Sequence, residues 1–502
     1  MRRWKSHDAY WVRALAVNAM FSTTVLLTGC ASFTPDGGMD FVQHQTGSIL
    51  SKDAVKIRSE HMSAAVQDRV RALLEKSMTV DTAVQIALLN NRHLQATYND
   101  LGISEAEMVE ASLPPAPTFA LSRLVATGQI EIERQLLQNV LGLLTLPRRR
   151  EIAEDRFAQA QVRAVEETLR VAAEARRAYY KAVAAQQSVK FLEDARTSAE
   201  AVSELAKKLG ETGSMPKLDQ AREHAFYAEV SSELAVARLK ARMAREKLNR
   251  VLGLWGSDTR YRLPDKLMPL PSAPKKQDSI ETLAVTSRVD LEVARMELAI
   301  LAKEYSLTNA TRFIDVLDVR GVSRYERKDI TEVDYRLDPG PTLVRTETPA
   351  KEKAEWHGID VEFQIPIYDF GEARTRLAEE TYMRAVNRLL DKAVNVRADA
   401  REAYQTYRGA YDVAKYYDKD ILPLRDIISE QTLLNYNGML TDLFALLTDA
   451  RARIAANVQA IDAKRDFWLA EADLQAATVG GGMGGAIEGS APSIASGNPS
   501  GG

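Results

Sequence analysis

A single cysteine, Cys30, serves the whole 502-residue chain, so no intramolecular disulfide and no Cys-x-x-Cys metal or redox site can form. Histidine is nearly as scarce. His7, His44, His61, His93, His224 and His357 stand isolated from one another, which leaves no local ligand set for a histidine metal site. Beyond Leu27 no apolar run reaches the ~18 residues of a membrane-spanning helix, so any later crossing of a bilayer has to use strands. There is no Gly-rich phosphate loop, no His-Glu-x-x-His and no Gly-x-Ser-x-Gly, so neither an enzyme nor a cofactor is expected. Charge of neither sign prevails. The formal net charge is −3 with Lys and Arg interspersed among Asp and Glu, and no basic stripe suits nucleic acid.

What is present repeats itself. Arg149–Val189 laid over Arg374–Ala414, 225 residues apart and without a gap, brings together Arg149/Arg374, Ala153/Ala378, Glu154/Glu379, Ala173/Ala398, Arg176/Arg401, Ala178/Ala403 and Tyr179/Tyr404. The same register joins Gly213 to Gly438 and Leu218 to Leu443. Fixed-period similarity usually marks stacked arrays. Two copies of this length point instead to a pseudo-symmetric protomer.

The first segment, residues 1–29, reads as a signal peptide: Arg2, Arg3, Lys5 and Arg13, then apolar residues from Ala14 to Leu27. Leu27-Thr28-Gly29-Cys30 resembles a bacterial lipobox, which implies lipidation of Cys30 (diacylglycerol and palmitate); an incidental cysteine beside an ordinary cleavage site is the alternative. Residues 30–78 form a lipid-anchored lead-in, polar at first, with a helix expected over 54–75. Repeat 1 spans 79–255: a helix ended by Pro114, Pro115 and Pro117, a strand pair over 118–136 turning at Thr127-Gly128, and helices over 148–209 and 217–252. The first of those helices has no internal Pro or Gly and would run ~93 Å at 1.5 Å per residue, so it implies a coiled coil, a stalk or a tube. After a linker at 256–279, repeat 2 spans 280–478: a helix to Thr308, an arm over 313–325, a polar segment from Glu326 to Glu355, a strand over 356–367, and helices over 372–436, interrupted near Pro423, and 439–478. Residues 479–502 form a Gly-rich tail expected to be disordered.

The clearest strand alternates His357, Ile359, Val361, Phe363 and Ile365 with Gly358, Asp360, Glu362 and Gln364. One apolar and one polar face suit a barrel strand between lipid and water; a half-buried soluble sheet edge is the other reading. Ile130 and Ile132 alternate likewise with Glu131 and Glu133. The four carboxylates Glu131, Glu133, Asp360 and Glu362 are therefore expected in a lumen, and these second arms bring no cation to their side.

The order of helix, strand pair, very long helix, turn and long helix, given twice, resembles the outer-membrane efflux (TolC) family. So do the junctions Leu146-Pro147-Arg148-Arg149 and Ile365-Pro366-Ile367-Tyr368-Asp369-Phe370-Gly371, and the element Ala175–Tyr179 with its copy Ala400–Tyr404. The resemblance implies a mainly α protein with a transmembrane β part. In a homotrimer, very long antiparallel helices form a periplasmic α-barrel, and four strands per protomer complete a twelve-stranded β-barrel. It also implies a lipid-anchored outer-membrane location reaching into the periplasm. The implied role is the exit duct of a tripartite pump, partnered by a periplasmic adaptor (membrane fusion protein) and an inner-membrane transporter. A protein-secretion duct and a periplasmic coiled-coil or adaptor lipoprotein are the alternatives. The turns would then dock the adaptor and gate the tube through Gly213, Ser214, Met215, Leu218, Asp219, Gly438, Met439, Leu440, Asp442 and Leu443. Gly213 and Gly438 are expected at positive φ. Some relatives carry an aspartate ring just beyond the second turn; here Phe444 and Leu447 hold those places, with Asp442 nearby. The exported substrate is not legible.

Overall fold

The computed structural model describes residues 32–276, 279–337, 340 and 343–482. Cys30, the signal segment and the tail beyond residue 482 lie outside the described residues. Two units emerge. Among the described residues the first takes those from 32 to Gly37, Ile103–Ala158 and Met296–Asn387; the second takes Gly38–Gly102, Gln159–Arg295 and those from Arg388 to 482.

In chain order the elements are α1 (Met39–Leu50), α2 (Glu60–Leu74), α3 (Val80–Asn90), α4 (Arg92–Ser112), β1 (Thr118–Ala126), β2 (Gln129–Asn139), α5 (Val140–Glu211) and α6 (Lys217–Leu252). There follow α7 (Ile280–Ser287), α8 (Val289–Ala310), β3 (Val316–Leu337), β4 (Leu343–Gln364), α9 (Glu372–Tyr416), a π turn (Tyr417–Ile421), α10 (Leu422–Asn437) and α11 (Leu443–Val479). The fold is mainly helical, with long helices and one four-stranded antiparallel sheet in the order β1-β2-β3-β4.

Several boundaries differ from the sequence expectation, each for a local reason. The helix expected over 54–75 begins only at Glu60, capped by the Ser59 hydroxyl accepting from Met62 N–H. The chain before it is extended because two side-chain amides bond its backbone: Gln85 pairs with Asp53, and Gln95 bonds Ile57 N–H and Val55 C=O. Pro147 does not start the long helix. The helix begins at Val140, where the Asn139 side chain accepts from Gly142 N–H, and Pro147 lies within it. The helix read through to Thr308 breaks at Arg288, whose ψ of 120° is extended; Asn91 makes the same break between α3 and α4 with ψ 119°. Burial works to raise the Asp290 carboxyl, but the hydrogen bonds and charge of Arg288 prevail and hold it below its ordinary value. Arg288 is buried and also reaches Asp399 at 3.1 Å, which ties the break to α9.

The largest correction concerns the polar segment over 326–355, whose residues 326–337 and 343–355 are strand. β3 and β4 pair along 22 residues each, from Val316↔Gln364 to Leu337↔Leu343. β2 accompanies β3 only as far as Lys328, so the remainder of the hairpin is a two-stranded ribbon. Helices α4 and α8 end 198 residues apart, at Ser112 and Ala310, and strands β1 and β3 begin 198 apart, at Thr118 and Val316. Strands β2 and β4 end 225 apart, at Asn139 and Gln364. The two copies therefore differ by a hairpin 27 residues longer in the second.

The helical register slips once more. Burial coincides at a spacing of 225 through Val171/Val396, Ala175/Ala400, Ala178/Ala403 and Ala182/Tyr407. After the π turn the spacing is 226: α5 and α10 end at Glu211 and Asn437, and α6 and α11 begin at Lys217 and Leu443. A π turn is a one-residue insertion absorbed inside a helix. Pro423 sits in the first turn of α10, where its missing N–H costs little. The second copy thus carries one extra residue without losing its helical course.

Candidate functional site

Two surfaces combine unusual exposure with organised chemistry, one in each unit. In the first unit it is the sheet. Paired residues of an antiparallel ladder share a face, so the registers sort the side chains unambiguously. One face carries Phe119, Leu121, Val125, Ile130, Ile132, Leu136, Leu317, Val319, Ile359, Val361 and Phe363. Phe119, Leu121, Val125, Ile359, Val361 and Phe363 are all exposed, a contiguous apolar surface of a kind that soluble monomers rarely show.

The other face holds Glu131, Glu133, Asp360 and Glu362 together. The second arms bring no cation to this side, as expected, but the first arm β3 does: its Arg320, Arg324 and Lys328 share the face. Arg324 bridges Glu131 at 3.0 Å and Glu133 at 2.8 Å; Arg320 reaches Glu362 at 3.4 Å, and Lys328 reaches Glu326 at 2.8 Å. With Asp318, Glu326 and Glu352 added, this face bears seven carboxylates and three cations between Val316 and the Lys328↔Glu352 pair, a net of four negative charges. Where β4 leaves the sheet, Gly371 has φ 72°, and a Cβ there would meet the Arg312 carbonyl at 2.2 Å. Asp369 accepts from Gly371 and Ala373 N–H, and these bonds hold its carboxyl below the usual range. The junction motif is thus a helix cap built on a close backbone approach.

In the second unit the two turns have one geometry. Ser214 N–H donates to Leu209 C=O at 2.8 Å and Gly213 N–H to Gly210 C=O at 3.1 Å. In the other turn Leu440 N–H donates to Asn435 C=O at 2.8 Å and Met439 N–H to Tyr436 C=O at 3.0 Å. Both are Schellman closures, which need a left-handed residue just past the helix end. Gly213 supplies it with φ 73°. Gly438, expected to do the same, has φ −80°, and Met439 takes the left-handed place with φ 58°. The reason is the slip to 226, which makes Met439 and not Gly438 the counterpart of Gly213.

Past each closure a helix starts anew. Asp442 caps α11 by accepting from Ala445 N–H at 2.9 Å; Asp219, in the first turn of α6, pairs with Arg222 at 3.2 Å. Arg222 also lies over the Phe444 ring at 5.4 Å, so the two helix starts touch. Met439 is 94% exposed and Leu440 79%, and Leu218 and Phe444 are exposed as well. Met215 is half-buried, Ser214 bonds the Thr212 hydroxyl, and Leu443 opens α11.

Sequence reasoning missed Glu223 and Asp449, themselves 226 apart and both buried. Neither Glu223 carboxylate oxygen has a hydrogen-bond partner among the described residues, nor has Asp449 Oδ1. Burial pushes the Glu223 carboxyl above its ordinary pKa; Arg451 opposes this and Asp219 adds to it. Below the unfolded carboxyl pKa both states are protonated and no penalty exists. The penalty grows as pH rises and is complete above the folded value. Glu223→Gln should therefore stabilise the helical part by roughly 1–2 kcal/mol at pH 8, with much less gain at pH 4. Thermal melts at the two pH values check this, and an equal gain at both would contradict it.

No protein-family profile and no curated protein matches the sequence. The fold is nevertheless similar to solved structures over 80% of this chain. VceC, an outer membrane protein of Vibrio cholerae, gives a TM-score of 0.64 at 13% identity over 96% of its own chain. CusC, studied for folding and transmembrane channel formation, gives 0.63 at 14% over 92%. The Campylobacter jejuni CmeC outer membrane channel gives 0.61 at 17% over 86%.

Proposed function

We propose that three copies of this chain form an outer-membrane exit duct of a tripartite efflux system, with the sheets closing a twelve-stranded β-barrel and the long helices a periplasmic tube. The exposed apolar face of the sheet carries the reading. A four-stranded sheet has two open edges, which hydrocarbon does not tolerate, so β1 and β4 need partners from other copies. The opposite, acidic face then lines water. The likeness to outer-membrane channels of known structure supports the same architecture, and passive conduction needs no catalytic group. The two turns form the periplasmic mouth, where an adaptor joined to an inner-membrane transporter docks.

Full-length protein expressed with its own N-terminus should be recovered from the outer-membrane fraction as a trimer. Recovery as a soluble periplasmic monomer would overturn the reading. Cys30 adds a lipid anchor. Mass spectrometry of the mature N-terminus should find an acylated Cys30 as residue one, and an unmodified thiol there would remove the anchor from the account. Because the barrel itself holds the membrane, Cys30→Ser should lower delivery more than it lowers the stability of assembled trimers.

A further inference from the structure

The apolar face of the sheet is not uniformly apolar. Toward the helix-bearing end of the strands it presents Leu136, Leu317, Val319, Ile359, Val361 and Phe363 without a charge. Toward the ribbon it turns basic. The row Leu121–Arg134–Ser323–His357 brings the first cation, Arg134; Arg123–Ile132–Tyr325–Glu355 comes next, then Val125–Ile130–Arg327–Lys353, and then Asp329 opposite Lys351. Arg327 and Lys353 face each other directly, a pairing that destabilises a ladder unless an anion shares it. Arg123, Arg327, Lys351 and Lys353 form no ion pair among the described residues, although arginines and lysines on the opposite face are paired.

We propose that this basic belt binds the phosphate groups of an anionic lipid in the leaflet next to the ribbon. The inference rests on the barrel reading above. Charge and position argue for the occupant. Tyr325 marks the end of the apolar band with an amphipathic ring of the kind that sits at headgroup level. Long basic side chains at that level extend into the headgroup layer, where phosphate replaces lost hydration. Two cations side by side suit a headgroup with two phosphates better than one with a single charge. Three copies would place such a pair three times around the barrel.

The test uses the full-length trimer in mixed micelles with diphosphoryl lipid A as probe, followed by native mass spectrometry. Parent protein should retain diphosphoryl lipid A over phosphatidylcholine, and Arg327→Gln with Lys353→Gln should lower that preference roughly thirtyfold. The charge-keeping pair Arg327→Lys with Lys353→Arg should retain it, and inorganic phosphate should not displace the lipid. An unchanged preference in the Gln pair would overturn the proposal. So would displacement by inorganic phosphate, which would mark a site for free anions. Outer-membrane recovery of parent and variants separates the two levels. Inserted trimers without the preference defeat only this inference, whereas absence of the parent from the membrane defeats the barrel reading and this proposal with it.

Discussion

Leu218→Glu and Leu440→Glu, introduced together in the two turns, should abolish export while trimers still reach the outer membrane. Both leucines are exposed, at 62% and 79%, so neither change creates a cavity or buries a charge. What they remove is apolar area at the proposed mouth, where an adaptor has to gain its affinity. Losing one apolar anchor at an interface centre costs about 2 kcal/mol, roughly thirtyfold in affinity, and the trimer presents each anchor three times. Met439→Gly provides the contrast. It should keep export and stabilise its turn by about 1 kcal/mol, because a non-glycine residue in the left-handed region costs about that much. Gly213→Val, whose Cβ would meet nothing within 4 Å, should lose a similar amount through backbone conformation alone. Export assays beside trimer yields decide the matter. Parental export by the double glutamate variant would refute docking at the turns, and loss of trimers would show that the leucines act in folding.

The open pore should prefer cations. Four net negative charges per protomer on the acidic sheet face become twelve around a closed barrel, and acidic rings favour cations. In a tenfold KCl gradient the reversal potential should lie toward the cation limit of about 59 mV. The preference should shrink near 1 M salt, where the Debye length falls to about 3 Å. The arginines make a sharper test possible. Asp360→Asn with Glu362→Gln halves the net charge and should lower the potential. Arg324→Gln releases Glu131 and Glu133 from their bridge and should raise it. Potentials of anion-selective sign, or no response to either change, would contradict the assignment of this face to the lumen.

The fold was legible in the sequence wherever a single period dominated. Ala175/Ala400 and Ala178/Ala403 repeat because both copies bury the same helical stripe, and β4 alternates because its two faces meet different surroundings. The ribbon was not legible. Over 326–336 and 344–355 both faces are mostly polar, so alternation of hydrophobicity vanishes although the ladder continues. The slip to 226 left no mark either, since one more residue among Tyr417–Ile421 alters no composition and the π turn closes over it without glycine. That hidden residue is why Gly438 looked like the partner of Gly213. Arg320 and Arg324 escaped as salt-bridge partners for a different reason: only the second arms alternate cleanly enough to sort charges by face, and β3 is a first arm. Glu223 and Asp449 give no sequence signal, because burial of a carboxylate on a helix depends on which neighbours pack there.

Inter-protomer cross-linking tests the central claim most directly. With Cys30 retained as the only native cysteine, Leu121→Cys in β1 would be combined in turn with Ile359→Cys, Val361→Cys or Phe363→Cys in β4, the two free edges of the sheet. Oxidised outer-membrane fractions should give a covalent trimer on a non-reducing gel for at least one pairing, and none for the single variants. Monomer alone for every pairing, in protein recovered from the outer membrane, would contradict a barrel closed between copies.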